Sequence, residues 1–301
     1  MSIEELVTKQ LKPGKYVIAV SGGVDSVTLL DIASKLKDIE IVVAHLDHGI
    51  RSDSKLDQEL VRNLAKKYKL VYETKSVNLG PNASEEKARD ARYEFLESVL
   101  KANQADAIIT AHHQDDAIET SIINLIRGSG RSGLTSLKSS EKLIRPLLGA
   151  TKEQISLYAT DHNLAWREDS TNQDLKFRRN FIRHRLQNLT DKSAVKQLYK
   201  QISNLRSTND QLDQELNQLL VDISQGNQLM RNQFINLSHS LSLELMAYWL
   251  RQNKILSFDT KLLNNLVIAA KTYKPHTKFS VNKTAYLMIE TKFLEIKTDL
   301  T

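Results

Sequence analysis

The segment YVIAVSGGVDSVTLLDIASKL, residues 16–36, limits the possible folds more than any other part of the chain. Tyr16 to Val20 form an apolar run of strand length, and beyond Val27 the residues Leu29, Leu30, Ala33 and Leu36 recur with helical spacing. A strand, a glycine turn and a helix start leave free backbone N–H groups and a positive dipole end in one small space, which suits an anion. The turn has neither the lysine of GxxxxGK[ST] nor the spacing of GxGxxG, so the two common nucleotide fingerprints do not apply. Asp25 is the unusual member, because a carboxylate repels phosphate unless a divalent cation lies between them. A plain capping turn, with Asp25 or Ser26 closing the helix start, is the alternative.

Two further stretches repeat the design. IVVAHLDHG, residues 41–49, and AIITAHHQDD, residues 107–116, each run from apolar strand into polar residues, and LVYE at 70–73 reads as another strand. Strands alternating with helical stretches predict an α/β fold with an open parallel sheet. Three polar clusters then fall at the carboxyl ends of strands, where such sheets bind ligands, which favours the phosphate reading over the capping one. In ASEEKARDARYEFLESVL, residues 83–100, Ser84 suits a helix cap, and Glu85, Arg89 and Arg92 share a face with Tyr93 and Leu96 close by. Beside phosphate, such arginine forks are preferred anion clamps; elsewhere they form surface ion pairs. Asp116 and Glu119 stand three apart at an expected helix start, able to hold a metal or an ammonium group together, or simply to favour a helix N-terminus.

Composition narrows the chemistry. The 301 residues suffice for two domains, and the absence of cysteine excludes disulfides, thiolate zinc sites, iron–sulfur clusters and cysteine nucleophiles. The start MSIEELVTKQLKPGKY does not read as a secretory or transit peptide, and no apolar run reaches membrane-spanning length. A soluble, cytoplasmic protein without a membrane partner is expected. The net charge of +6 permits a nucleic-acid partner without requiring one.

SGGVDS after a strand is similar to the PP-loop of the N-type ATP pyrophosphatases, which split ATP between its α and β phosphates. Within that superfamily the chain resembles the tRNA(Ile)-lysidine synthetase family, in its shorter form. The motifs that carry the resemblance are SGGVDS, HLDHGIR, EEKARDARY, TAHHQDDAIET, IRGSGRSGL, IRPLL, LAWREDSTNQD and FRRNFIR, in order from residue 17 to about 185. Glu86, Lys87 and Ile118 depart from the pattern, while the charged positions are kept. The resemblance implies a Rossmann-like PP-loop ATP pyrophosphatase fold over residues 1–190, with ATP and Mg2+ as cofactors and with free L-lysine and the CAU-anticodon isoleucine tRNA as partners. The reaction would join the lysine ε-amino group to C2 of the wobble cytidine through an adenylated intermediate. It further implies that Ser21, Gly22, Gly23, Val24, Asp25 and Ser26 hold the nucleotide phosphates, with Asp25 next to the metal and Asp47 on the nucleotide side. Asp116 and Glu119 match positions associated with lysine, Arg92 one associated with the phosphate or activated base, and Arg89 and Arg127 lie in motifs on the substrate side. His112 is the first candidate for the amine's proton.

KFRRNFIRHRL, residues 176–186, carries basic side chains and no acid. Arg179, Asn180 and Arg183 match the motif associated with tRNA, whereas Phe177 and Phe181 read as core residues. Residues 191–225 then read as an amphipathic helical linker, and 226–301 as a smaller, mostly helical domain ending in a hairpin over KFSVNKTAYLMIETKFLEIK, with a tRNA-body or packing role. A homodimer is the default assembly. Two rivals to the synthetase reading stand: a metal-bound phosphoesterase built from HLDHG and HHQDD, and a non-catalytic tRNA-binding protein.

Overall fold

A computed structural model describes residues 2–49, 54–80, 83–168, 178–189 and 191–298. Residues 50 and 51 of HLDHGIR, 169–174 of LAWREDSTNQD, and Lys176 and Phe177 of the basic cluster lie outside the described residues. The chain divides into two compact units, Met1–Leu205 and Arg206–Thr301.

In the first unit, α1 (Ile3–Gln10) leads into β1 (Gly14–Ala19), α2 (Val24–Ser34), β2 (Ile39–Asp47), α3 (Ser54–Lys67), β3 (Val71–Ser76), α4 (Glu85–Ala102) and β4 (Ala107–Ile109). There follow α5 (Gln114–Ile126), the short α6 (Arg131–Leu134), β5 (Leu143–Ile144), a 3-10 turn at Pro146–Gly149, α7 (Lys152–Asp161) and α8 (Arg178–Gln187). The five strands are parallel in the order β3-β2-β1-β4-β5. The order reverses between β1 and β4, so the crevice at their carboxyl ends is the switch point of the sheet.

Alternation along the central strands sends side chains to opposite faces. Ile18, Ile41, Val43 and Ile109 pack with residues of α1, α2 and α7. Val17, Val42, Ala44 and Ile108 pack against Phe95, Leu96 and Val99 of α4. Ser84 caps α4 by accepting the Lys87 N–H at 3.2 Å, the cap expected from the sequence. A buried polar hub ties α2 to its neighbours: Asp31 accepts from Lys35 at 2.6 Å, from Tyr68 at 2.7 Å and from Tyr158 of α7 at 2.8 Å. Those three bonds outweigh the cost of burial and hold the Asp31 carboxyl below its ordinary range.

The stretch read as a helical linker forms α9 (Lys192–Asp222), and the division between units falls within it. In the second unit, β6 (Ser224–Gln225), β7 (Gln228–Met230), α10 (Arg231–Ile235), α11 (His239–Gln252) and α12 (Thr260–Thr272) precede β8 (Thr277–Ser280), β9 (Ala285–Ile289) and β10 (Phe293–Thr298). The expected terminal hairpin is three strands, and β6 and β7 extend it to an antiparallel sheet of order β6-β7-β10-β9-β8. Strands of two or three residues are too short to show alternation, which is why β5, β6 and β7 are silent in the sequence. Buried Arg231 anchors the unit by donating to three backbone carbonyls, of Ala270 at 3.0 Å, Tyr273 at 2.5 Å and Glu290 at 3.1 Å.

Candidate active site

The glycine turn joins β1 to α2. Gly22 has φ +94°, which an L side chain adopts only with strain, and Gly23 begins α2 without a side-chain cap. The first N–H groups of α2 therefore point outward with no intrahelical acceptor. Two serines brace the turn: Ser26 Oγ donates to the Gly23 carbonyl at 3.0 Å and accepts the Ser21 N–H at 3.2 Å, and the two hydroxyls are 3.2 Å apart. Val24 is the first residue of α2, with Asp25 next to it in the first turn.

Across the switch crevice, α5 opens directly after β4. Asp116 accepts the His113 N–H at 3.0 Å, and this bond fixes the start of the helix. His113 Nε2 lies 3.4 Å from Asp116 Oδ2 and 3.8 Å from Asp25 Oδ2, so it stands between the two acids. On the other side of Asp25, Lys152 Nζ contacts both carboxylate oxygens, at 2.7 and 2.8 Å. Beyond Asp116, Glu119 is 1% exposed and clamped by α8: Arg183 Nε donates at 2.7 Å to one oxygen, while its Nη2 at 3.0 Å and Arg179 Nε at 3.1 Å donate to the other. Arg183 Nη2 also reaches Asp116 at 3.5 Å, and Arg179 donates to Thr120 at 2.9 Å. One row of alternating basic and acidic side chains thus runs Lys152, Asp25, His113, Asp116, Arg183, Glu119, Arg179 across the crevice.

Burial raises the Glu119 carboxyl above its ordinary value, with the Arg183 bond pulling the other way. Burial also acts to raise Asp116, but His113, His112 and Arg179 outweigh it and the carboxyl lies below its ordinary value. His112 is pushed down to about 3, chiefly by burial and further by the charges of Arg145, Arg179 and Arg92. Its Nδ1 is 2.9 Å from the Thr110 hydroxyl. A ring this reluctant to take a proton is a poor match for a base working near neutrality, which counts against the proton-accepting role expected of His112.

The end of β2 lines the crevice with two more imidazoles. His45 Nδ1 donates to the Val20 carbonyl at 2.8 Å, and Arg92 of α4 lies 3.3 Å from His48 Nε2. Burial first, then Arg92, lowers His48 to about 4. Buried His45 Nε2, His48 Nδ1 and His113 Nδ1 have no hydrogen-bond partner among the described residues. Such polar atoms next to an open helix N-terminus fit a polar, anionic ligand such as a nucleotide. Asp25, a single carboxylate, fits magnesium, which binds through one or two carboxylates together with nucleotide phosphates. Among the described residues no group of three or more His, Asp or Glu side chains is placed to hold a metal ion, which argues against the metal centre of the phosphoesterase reading.

Other expected site residues are placed less centrally. Asp47 accepts the Gly49 N–H at 2.8 Å and so closes its own turn. Arg89 is exposed, its guanidinium 4.9 Å from the Tyr93 ring centre. Arg127 lies at the far end of α5, about 16 Å along the axis from Asp116 at the rise of an α-helix. Asn180 is half-buried in the first turn of α8. Phe181, expected in the core, is 46% exposed and stacks under Arg185 at 5.3 Å. The reason is helical period: Arg179, Ile182 and Arg183 turn toward α5, which sends Phe181 and Arg185 outward. Lys152 carries no motif signal of its own, and His113 lies inside TAHHQDDAIET with nothing local to favour it over His112. A lysine in the first turn of a helix, against the dipole, is the one clue that Lys152 serves something else.

A family model described as a PP-loop domain matches residues 1–190. A protein named tRNA(Ile)-lysidine synthase from Thermotoga sp. (strain RQ2) is 40% identical over 187 residues, covering 58% of this chain and 45% of that protein. One of the same name from Solibacter usitatus is 37% identical over 57% of this chain and 40% of its own length. The chain thus spans less than half the length of these two relatives. A third, from Francisella tularensis subsp. holarctica, is 29% identical across 96% of this chain and 74% of its own. In fold, the chain is similar to the U34-tRNA thiolase NcsA from Methanococcus maripaludis, solved with its [4Fe-4S] cluster, at TM-score 0.55 and 18% identity, covering 67% of this chain and 78% of that one. Cysteine ligation of such a cluster is closed to a chain without cysteine.

Proposed function

This chain belongs to the PP-loop domain family, and on that premise we propose that it ligates the ε-amino group of free L-lysine to C2 of the wobble cytidine in the CAU-anticodon isoleucine tRNA, consuming ATP and releasing AMP and pyrophosphate. The observation that carries this reading is the row of basic and acidic side chains in which a phosphate cradle and a pair of carboxylates face one crevice, since adenylation followed by amine attack needs both within reach of one base. The name shared by the three relatives points the same way.

In this reading cytidine O2 attacks the α-phosphorus, and pyrophosphate leaves toward the turn formed by Ser21 to Ser26. Magnesium at Asp25 would supply positive charge against the phosphates. The amine then attacks C2, and AMP departs with the former O2. Asp116 is the more available ammonium contact, because its Oδ1 meets only one long arginine contact, at 3.5 Å, whereas both Glu119 oxygens are engaged by Arg179 and Arg183 at 2.7, 3.0 and 3.1 Å. Glu119 instead orients those arginines. The ammonium gives up a proton to solvent before its nitrogen attacks, and neutral His112 then accepts a hydrogen bond from the free amine and aligns it without keeping that proton.

Incubation with ATP, magnesium, labelled lysine and the CAU-anticodon transcript tests the reading: label is expected in the RNA, with AMP release requiring both lysine and RNA. RNA binding without either product would favour the non-catalytic tRNA-binding protein. Asp116→Asn should weaken apparent lysine affinity about ten- to a hundred-fold, the loss of one charge-assisted contact, while adenylation measured without lysine persists. Collapse of adenylation, unrescued by excess lysine, would remove Asp116 from the ammonium site.

A further inference from the structure

We propose that Lys152 is a phosphate-handling residue of the site, which neutralises Asp25 in the free protein and turns to pyrophosphate as it leaves. The proposal deepens the ATP-consuming reading above and rests on it. Three observations support it.

First, the contact is close but exchangeable. Lys152 Nζ is within 2.8 Å of both Asp25 oxygens, yet the two side chains are 40% and 29% exposed. A partly solvated ion pair separates at small cost when a better partner arrives for either member. A divalent ion is that partner for Asp25, and a polyphosphate oxygen is that partner for the freed ammonium.

Second, nothing in α7 itself calls for a lysine there. The helix start is already complete, since Thr151 accepts the Gln154 N–H and Gln154 accepts the Thr151 N–H, while a cation in the first turn opposes the helix dipole. The backbone carrying it is held at both ends. The Gln114 N–H donates to the Ala150 carbonyl at 2.9 Å just before α7, and Tyr158 further along binds Asp31 of α2 at 2.8 Å. Any motion therefore belongs to the four-carbon side chain and not to the helix.

Third, the turn lacks a cation that its chemistry needs. A GxxxxGK[ST] loop brings its own lysine to the terminal phosphates, whereas SGGVDS brings an aspartate. Lys152, 127 residues away in sequence, supplies from another helix the positive charge that the turn does not contain. In the adenylation step the bond from O2 to the α-phosphorus forms and the one from the α-phosphorus to the bridging oxygen breaks, so the electron pair leaves on pyrophosphate. Lys152 stays protonated throughout and offsets that growing charge, with no proton gained or lost.

The test compares the wild-type chain with Lys152→Met and Lys152→Arg. Inorganic pyrophosphate with magnesium is titrated by calorimetry, without turnover, and pyrophosphate release from ATP is timed with the transcript present. Lys152→Met should bind magnesium pyrophosphate about ten-fold more weakly and release it about a hundred-fold more slowly, with RNA binding unchanged. Lys152→Arg, which keeps the charge, should recover most of both. Wild-type affinity for pyrophosphate in Lys152→Met, or no affinity in the wild-type chain, overturns the proposal. So does an equal loss in both variants accompanied by a lowered melting temperature, which marks a structural lysine. If the wild-type chain binds magnesium pyrophosphate through Lys152 but never joins lysine to RNA, the lysidine reading fails while the assignment of Lys152 stands.

Discussion

Arg231 of the second unit and the two inward-facing arginines of α8 in the first are held in opposite ways. In the second unit Arg231 is 7% exposed and spends its guanidinium on three backbone carbonyls, acceptors that neither titrate nor move. In the first unit Arg179 and Arg183 keep about a quarter of their side chains in solvent, at 23% and 28%, and spend theirs on carboxylates. A carbonyl acceptor binds an arginine permanently into a fold. Buried Glu119 holds its two arginines from one side only, so the solvent-facing edge of each guanidinium stays open to a second, anionic partner. Arginine is therefore a keystone at Arg231 and part of a responsive surface in α8.

The sharpest way to break that comparison is Arg231→Met, which leaves three carbonyls short of a donor. It should cost about 3 kcal/mol or more, read as a lowered denaturation midpoint with the adenylation rate of the surviving folded protein intact. Arg183→Ala leaves Glu119 with one arginine and should cost less, about 1–3 kcal/mol. Adding Glu119→Gln should recover much of that loss, since a neutral amide tolerates burial better than a lone carboxylate; a double variant no better than the single one would show that packing, and not charge, couples the pair.

Under the proposed function, the salt dependence of tRNA binding would sharpen the contrast within α8. Exposed Arg178 and Arg185 are free to meet phosphates, whereas Arg179 and Arg183 are already neutralised by the acids of α5. Replacing the exposed pair by alanine should make the log-affinity against log-salt slope shallower by about one to two. The equivalent change at Arg179 and Arg183 should move it less; the reverse order would mean that the clamp opens fully on RNA.

A last contrast is acid sensitivity in the first unit. His48 and His112 are lowered to about 4 and about 3, chiefly by burial, so the folded chain keeps them neutral where the unfolded chain protonates near 6.5. Stability is then full above about pH 6.5 and is lost as pH falls through the window toward 4 and 3, because the unfolded state binds more protons there. A drop in Tm of about 2–4 °C for each kcal/mol lost should appear on acidification. His48→Gln with His112→Gln should flatten the profile.

Much of the first unit was legible in the sequence because it is built by local rules. Tyr16 to Val20 is an apolar strand, Gly22 and Gly23 permit the turn, Ser84 caps α4, and three polar clusters close three strands. Each is a pattern over a few adjacent residues. Asp116 and Glu119 share a helix face for the same reason. The glycine-turn side of the crevice is therefore readable, since it is made of backbone, and backbone conformation follows from nearby residue types.

What surrounds those carboxylates was decided only by tertiary structure. Lys152 meets Asp25 across 127 residues and Arg183 meets Glu119 across 64. No local pattern records either pairing, because a charged side chain on a helix reads alike whether it faces water or a buried partner. The order of strands set the switch point between β1 and β4, and that order placed α5 opposite α2 and His113, not His112, between the acids. Sequence determined which groups a nucleotide site could use; the packing of α5, α7 and α8 determined which of them are neutralised, and by what, before any ligand arrives.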